Sequence, residues 1–128
     1  MSALTTPLDR GREEVRAAQV LLDAGLPSQA VSRACSAAVN AARAALMSVG
    51  ETPSTSAGVV AAFSRHVIGD DRRDPEDARA LRKLFEDRND VDHALAQAPT
   101  SEAEDAIEAA NRVVAAAVGF IDGARRER

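Results

Sequence analysis

Apolar positions along this chain recur at spacings of three and four, and proline and glycine punctuate them into five stretches that each predict a helix. Thr6-Pro7 is a cap followed by a proline at the first helical position, and Leu8, Val15, Ala18 and Leu22 then fall on one stripe. Gly25 supplies a left-handed stop. Pro27 restarts the helix, and a second segment is expected to run to about Val49, with Gly50 ending it. Residues 51–56 are rich in turn formers and read as a loop. A shorter helix over Ala57 to Ile68 follows, then a charged connector at residues 69–74. Asp74-Pro75 repeats the cap-then-proline signature and opens a fourth helix that reaches about Ala96. Pro99 breaks the chain, and Ser101 with Glu104 has the spacing of a capping box, which starts the last helix and carries it to about Asp122. Residues 1–6 and 123–128 are expected to fray. The pattern implies an all-α fold. Its expected form is an antiparallel four-helix up-and-down bundle with one additional short helix, in a single domain over residues 1–128.

Composition agrees and adds a constraint on packing. Alanine fills roughly a fifth of the 128 positions, and aromatics are 2%, with three Phe and neither Tyr nor Trp. Alanine favours helices and is depleted in strands. The second segment carries Ala at 30, 34, 37, 38, 41, 42, 44 and 45, which suits a central helix that its neighbours approach closely. The formal net charge is −4, which excludes a globally basic nucleic-acid coat but leaves room for a local positive site, since nearly all of the 16 basic residues are Arg. The longest apolar run, Val113 to Ile121, is too short for a membrane helix of about 20 residues, and the N-terminus shows no signal-peptide pattern. A cytoplasmic chain with no membrane partner is the expectation.

The fourth segment carries the clearest anomaly. Leu81, Leu84, Val91 and Leu95 form a seam whose missing member is Arg88, and a charge on an apolar stripe is costly unless it is paired or faces a cleft. Asp92, Asn89 and His93 lie about 40°, 100° and 140° around the helix from Arg88, so the four form one polar arc. Asn89 and His93 are i,i+4 neighbours, so the amide could orient the imidazole. The alternative is a structural Arg88–Asp92 pair beside a solvated histidine. Other chemistry is poorly supported. His66 and His93 with the single Cys35 give no zinc spacing, and no metal or cofactor is expected. His66 reads as a complement to a helix C-terminus and Cys35 as a small core residue. The acidic run from Asp70 to Asp77 is interleaved by Arg72 and Arg73 and reads as solvated, as does the arc Glu104, Asp105, Glu108 and Arg112.

RNDVDH at residues 88–93 resembles the Arg-x4–6-His motif of the HEPN superfamily (higher eukaryotes and prokaryotes nucleotide-binding domains). AVSRACSAAVNAARAALMSVGETPSTSAGVVAAF at residues 30–63 is similar to that family's long helix with its Ser-Arg pair and the following Gly-x-x-Pro. ALRKLFEDRNDVDH at residues 80–93 is similar to its Leu-Arg-x-Leu-Phe-x-x-Arg stretch. The resemblance implies the helical bundle, a homodimer, and a metal-independent endoribonuclease of the toxin type. In it the RNA 2′-OH attacks the adjacent phosphorus at a composite dimer site. Arg88 would stabilise phosphorane charge and His93 would act as acid or base. Asn89 would orient His93 or donate to phosphate, and Asp92 would hold Arg88 or the His tautomer. Arg33 and Asn40, seven residues apart on one face, are the candidate phosphate or RNA contacts, with Arg33 reaching phosphate or Asp92. The partner implied is a minimal nucleotidyltransferase or another antitoxin. Some toxins of the family carry, two residues after the motif His, a Tyr that such a partner modifies with AMP; here that position is Leu95. The alternative within the family is a non-catalytic module that binds a nucleotide, RNA or a nucleotidyltransferase.

Overall fold

The computed structural model of the chain describes residues 6–94 and 96–127, so the expectations for residues 1–5, Leu95 and Arg128 lie outside the described residues. Five helices follow one another: α1 (Pro7–Asp23), α2 (Pro27–Ser48), α3 (Ser56–Ile68), α4 (Pro75–His93) and α5 (Thr100–Arg126). The described residues contain no strand.

The helix starts follow local chemistry. Thr6 is not frayed. It caps α1 in a reciprocal box, its Oγ1 accepting from the Asp9 amide at 3.1 Å while its own amide donates to Asp9 Oδ2 at 3.4 Å. Asp74 caps α4 by accepting from the Glu76 amide at 2.9 Å. Both α1 and α2 stop at a glycine with φ near +80°, and the turns close with paired bonds. The Leu26 amide donates to the Leu21 carbonyl and the Glu51 amide to the Leu46 carbonyl, each at 2.9 Å.

Three boundaries depart from the sequence reading. Helix α4 ends at His93 rather than near Ala96, and Ala94 is extended. The reason is tertiary: the Ser28 amide at the start of α2 donates to Gln97 Oε1 at 3.0 Å, and the Ala98 amide donates to Ser28 Oγ at 2.7 Å. This exchange pulls the chain off the helical path. Helix α5 begins at Thr100 after Pro99, without a side-chain cap, so the Ser101–Glu104 box does not form. Helix α5 also continues past Asp122 to Arg126, where Gly123 lies against the Arg73 guanidinium and Glu127 pairs with Arg72 at 3.7 Å.

Helix α2 is the centre, with 13 of its 22 residues buried, and it packs against all four other helices. The Ser28–Gln97 exchange places the start of α2 beside the end of α4 and the start of α5. Residues from the ends of α2, α3 and α5 (Val49, His66 and Phe120) line one cavity at the opposite end. Helices α1, α2, α4 and α5 therefore run down, up, down and up, with α3 as the short addition. Gly11 of α1 is buried against α2, where a Cβ would lie 2.9 Å from the Ala37 carbonyl oxygen. The small residues of α2 permit this approach. Phe63 and Phe120 stack at the far end with centroids 5.6 Å apart. No described helix is long and apolar enough to cross a membrane.

Candidate functional site

Leu81 and Leu84 of the α4 seam are buried, Val91 is half-buried, and Arg88 stands among them with its side chain 38% exposed. Its burial is limited because α2 meets it with small and polar residues. The guanidinium lies beside the buried Cys35, and its Nε is 3.6 Å from Asp92 Oδ2 one turn along α4. Asp92 is held from the other side by Ser32, whose hydroxyl donates to Oδ1 at 2.8 Å. Asp92 therefore does hold Arg88, and Ser32 of α2 holds Asp92. Burial pushes the Cys35 thiol up to about 11, outweighing the pull of the Arg88 charge and hydrogen bond, so the residue stays a neutral core thiol at neutral pH.

Arg88 and Asp92 line a cavity of about 480 Å³ with Ser28, Ser32, Arg33 and Ser36 of α2 and Glu14 of α1. Arg33 is half-exposed there. Its carboxylate partner is Glu14, at 3.9 Å, rather than the expected Asp92. Asn40 donates to the other oxygen of Glu14. One carboxylate thus organises both residues that the sequence placed on a shared face. Glu14 itself escaped the sequence reading. It adjoins Val15 on the flank of the α1 stripe, a position usually filled by a solvated charge.

Asn89 and His93 are not brought into this cavity. Both are exposed at the end of α4. His93 Nδ1 lies 2.7 Å from the backbone oxygen of Asn89. A carbonyl can only accept, so Nδ1 carries a proton and Nε2 is the ring nitrogen left facing away from the bond. The expected orientation of His93 by Asn89 occurs, but through the main chain and not through the side-chain amide. His66 is half-buried at the far end of the bundle. It pairs with Glu51 of the α2–α3 loop and meets Phe120 edge-on, beyond the helix-end role read from sequence. Of the charges read as solvated, Arg112 instead bridges Asp74 at 2.6 Å and Asp77 at 2.9 Å, tying α5 to the start of α4.

An all-α bundle with an Arg and a His on the last two turns of one helix, the Arg facing a polar cleft, defines a small helical domain with a polar candidate site. The HEPN domain family model matches residues 6–121, and the chain belongs to that family. No curated protein matches the sequence.

Proposed function

We propose that this chain is a metal-independent HEPN endoribonuclease, the toxin of a toxin–antitoxin pair, that works as a homodimer. The observation carrying this reading is the His93 geometry: an exposed imidazole with Nδ1 on the Asn89 carbonyl and Nε2 without a partner among the described residues, five residues after an arginine whose guanidinium faces a polar cavity. His93 Nε2 takes the proton of an RNA 2′-OH. The 2′-oxygen bonds to the adjacent phosphorus, the bond from phosphorus to the 5′-oxygen breaks, and that oxygen leaves with a proton from a second acid. The products are a 2′,3′-cyclic phosphate and a 5′-hydroxyl. Arg88 donates to the phosphorane oxygens as their charge grows. A single His93 reaches one side of phosphorus, and His93 of a second copy across a twofold axis supplies the second acid. A minimal nucleotidyltransferase or another antitoxin is the inhibitory partner, and with no Tyr in the chain its control does not run through tyrosine adenylylation.

A second reading rests on a different observation. Within one chain His93 lies outside the cavity that Arg88 lines, which favours a binding module without turnover. Cleavage of labelled single-stranded RNA and tRNA in EDTA, comparing wild type with His93→Ala, separates the two. Cyclic-phosphate ends from wild type alone are expected. RNA bound but uncut by wild type would replace the nuclease with the binding module, and equal cleavage by both proteins would refute the His93 assignment.

A further inference from the structure

The cavity beneath Arg88 does not end at Ser36. A second cavity of about 400 Å³, lined by Arg10, Glu13, Ala17 and Asn40, shares Glu14, Arg33 and Ser36 with the first. The two join into one trough on the surface of α2. Helix α2 explains its shape: Ser28, Ser32, Ser36 and Asn40 recur every fourth residue, forming a single polar ridge in a helix whose other faces are mostly alanine. That ridge is about 18 Å long at 1.5 Å per residue.

The polar groups along it fall into two sets. Two of the carboxylates are engaged by protein donors, Glu14 by Arg33 and Asn40, and Asp92 by Ser32 and Arg88. The Ser36 hydroxyl and the exposed Arg10 guanidinium make no side-chain hydrogen bond to another described residue. What the trough offers a ligand is therefore donors spread across α2: Arg88 on the α4 side beside Cys35, Arg33 and Ser36 where the two cavities meet, and Arg10 on the α1 side. Donors divided between two joined cavities suit a ligand with anionic groups at intervals.

We propose that the trough is the track of the substrate strand. The RNA strand crosses α2 from the α4 side to the α1 side, with its scissile phosphate at Arg88, neighbouring phosphates at Arg33 and Arg10, and Ser36 donating to the backbone between them. This rests on the ribonuclease reading and names the path of its substrate. Glu13 is the carboxylate in the trough without a protein donor among the described residues, so it opposes the strand.

The test is binding of fluorescein-labelled oligouridylates, a dinucleotide, a tetramer and an octamer, to His93→Ala protein by fluorescence anisotropy at several salt concentrations. Affinity rises with length in the His93→Ala background. Adding Arg10→Ala lowers octamer affinity about fivefold and flattens the salt slope by about 0.7, with the dinucleotide unaffected. Ser36→Leu, which fills the trough, removes the gain with length, and Glu13→Gln tightens the octamer. Arg10 and Glu13 are exposed, so these two variants decide the matter should Ser36→Leu lose its fold. Tight octamer binding with length dependence and salt slope unmoved by all three changes overturns the track. If wild type still cleaves RNA in a His93-dependent manner under that result, the nuclease reading stands and only the path is wrong. If no oligonucleotide is bound or cleaved, the nuclease reading fails and takes the track with it.

Discussion

Replacing Gly11 by alanine sets two terms of opposite sign against each other. Intrinsic helix propensity favours alanine over glycine by about 1 kcal/mol in a helix interior. The added Cβ at position 11, however, would sit 2.9 Å from the Ala37 carbonyl oxygen and 3.3 Å from the Ala41 amide nitrogen. Carbon–oxygen contacts in proteins settle at about 3.3–3.6 Å, so α1 must retreat by roughly 0.5 Å. Both obstructing atoms are backbone in the middle of the central helix and cannot turn aside. A retreat of that size loses a quarter or more of the dispersion energy of the contacts it opens, and overpacking of this kind costs about 1–3 kcal/mol. The contact term wins, and the net effect is destabilisation by about 1 kcal/mol, read as a fall in Tm of about 3–5 °C. Gly123→Ala is the matched control. The same Cβ there meets only the Arg73 Nη2 at 3.4 Å, an ordinary contact with the end of a side chain, so the propensity gain survives as up to about 1 kcal/mol of stabilisation. Thermal and urea unfolding of the two variants beside wild type decide it. Gly11→Ala as stable as wild type, or both variants shifting the same way, would refute the argument that α2 carries small residues to admit α1.

Two further outcomes follow from the site. Ser32→Ala removes the 2.8 Å hydrogen bond to Asp92 and so loosens Arg88; at about 0.5–1.5 kcal/mol for such a bond, RNA cleavage falls roughly twofold to tenfold. The pH–rate profile stays in place because the His93 hydrogen bond lies within α4. The Cys35 thiol titrates near 11 in the folded chain against 9.0 for a free thiol, so the unfolded chain loses its proton first and stability declines as pH rises from about 9 to 11, by on the order of 2 kcal/mol. The chain has no Tyr to titrate in that window, and Cys35→Ala should flatten the decline in urea midpoints.

Helix starts and stops were legible wherever one local interaction decides them. Thr6-Pro7, Asp74-Pro75, Gly25 and Gly50 each act within a few residues, and each appears where the sequence puts it. The misplaced boundaries are those decided from far away. Helix α4 stops short because Gln97 and Ala98 exchange hydrogen bonds with Ser28, about 70 residues earlier. Helix α5 runs long because its last turn rests on Arg72 and Arg73. The candidate site divides the same way. Arg88 was legible because a charge interrupts an apolar seam on its own helix. Glu14, Ser32 and Ser36 were not, since a glutamate beside a helix stripe and two serines in an alanine-rich helix acquire meaning only when tertiary register sets α1 and α4 beside α2.

The two halves of the candidate site have separate supports, and this separates the effects of mutation. Arg88 depends on packing: Asp92 holds it, Ser32 holds Asp92, and Ser32 sits on a helix whose position is fixed by the alanine core and the Gly11 contact. His93 depends on its own helix through the Asn89 carbonyl, and on the Ser28–Gln97 exchange that ends that helix just beyond it. A core substitution in α1 or α2 that shifts the bundle by a few tenths of an ångström therefore disturbs Arg88 before the imidazole. It should lower the rate without moving the pH profile. A substitution that lengthens α4, such as Gln97→Ala, acts on the histidine first and should move the pH profile while leaving Arg88 paired. Finding the two signatures exchanged would mean that the arginine and the histidine are coupled by something other than the helices that carry them.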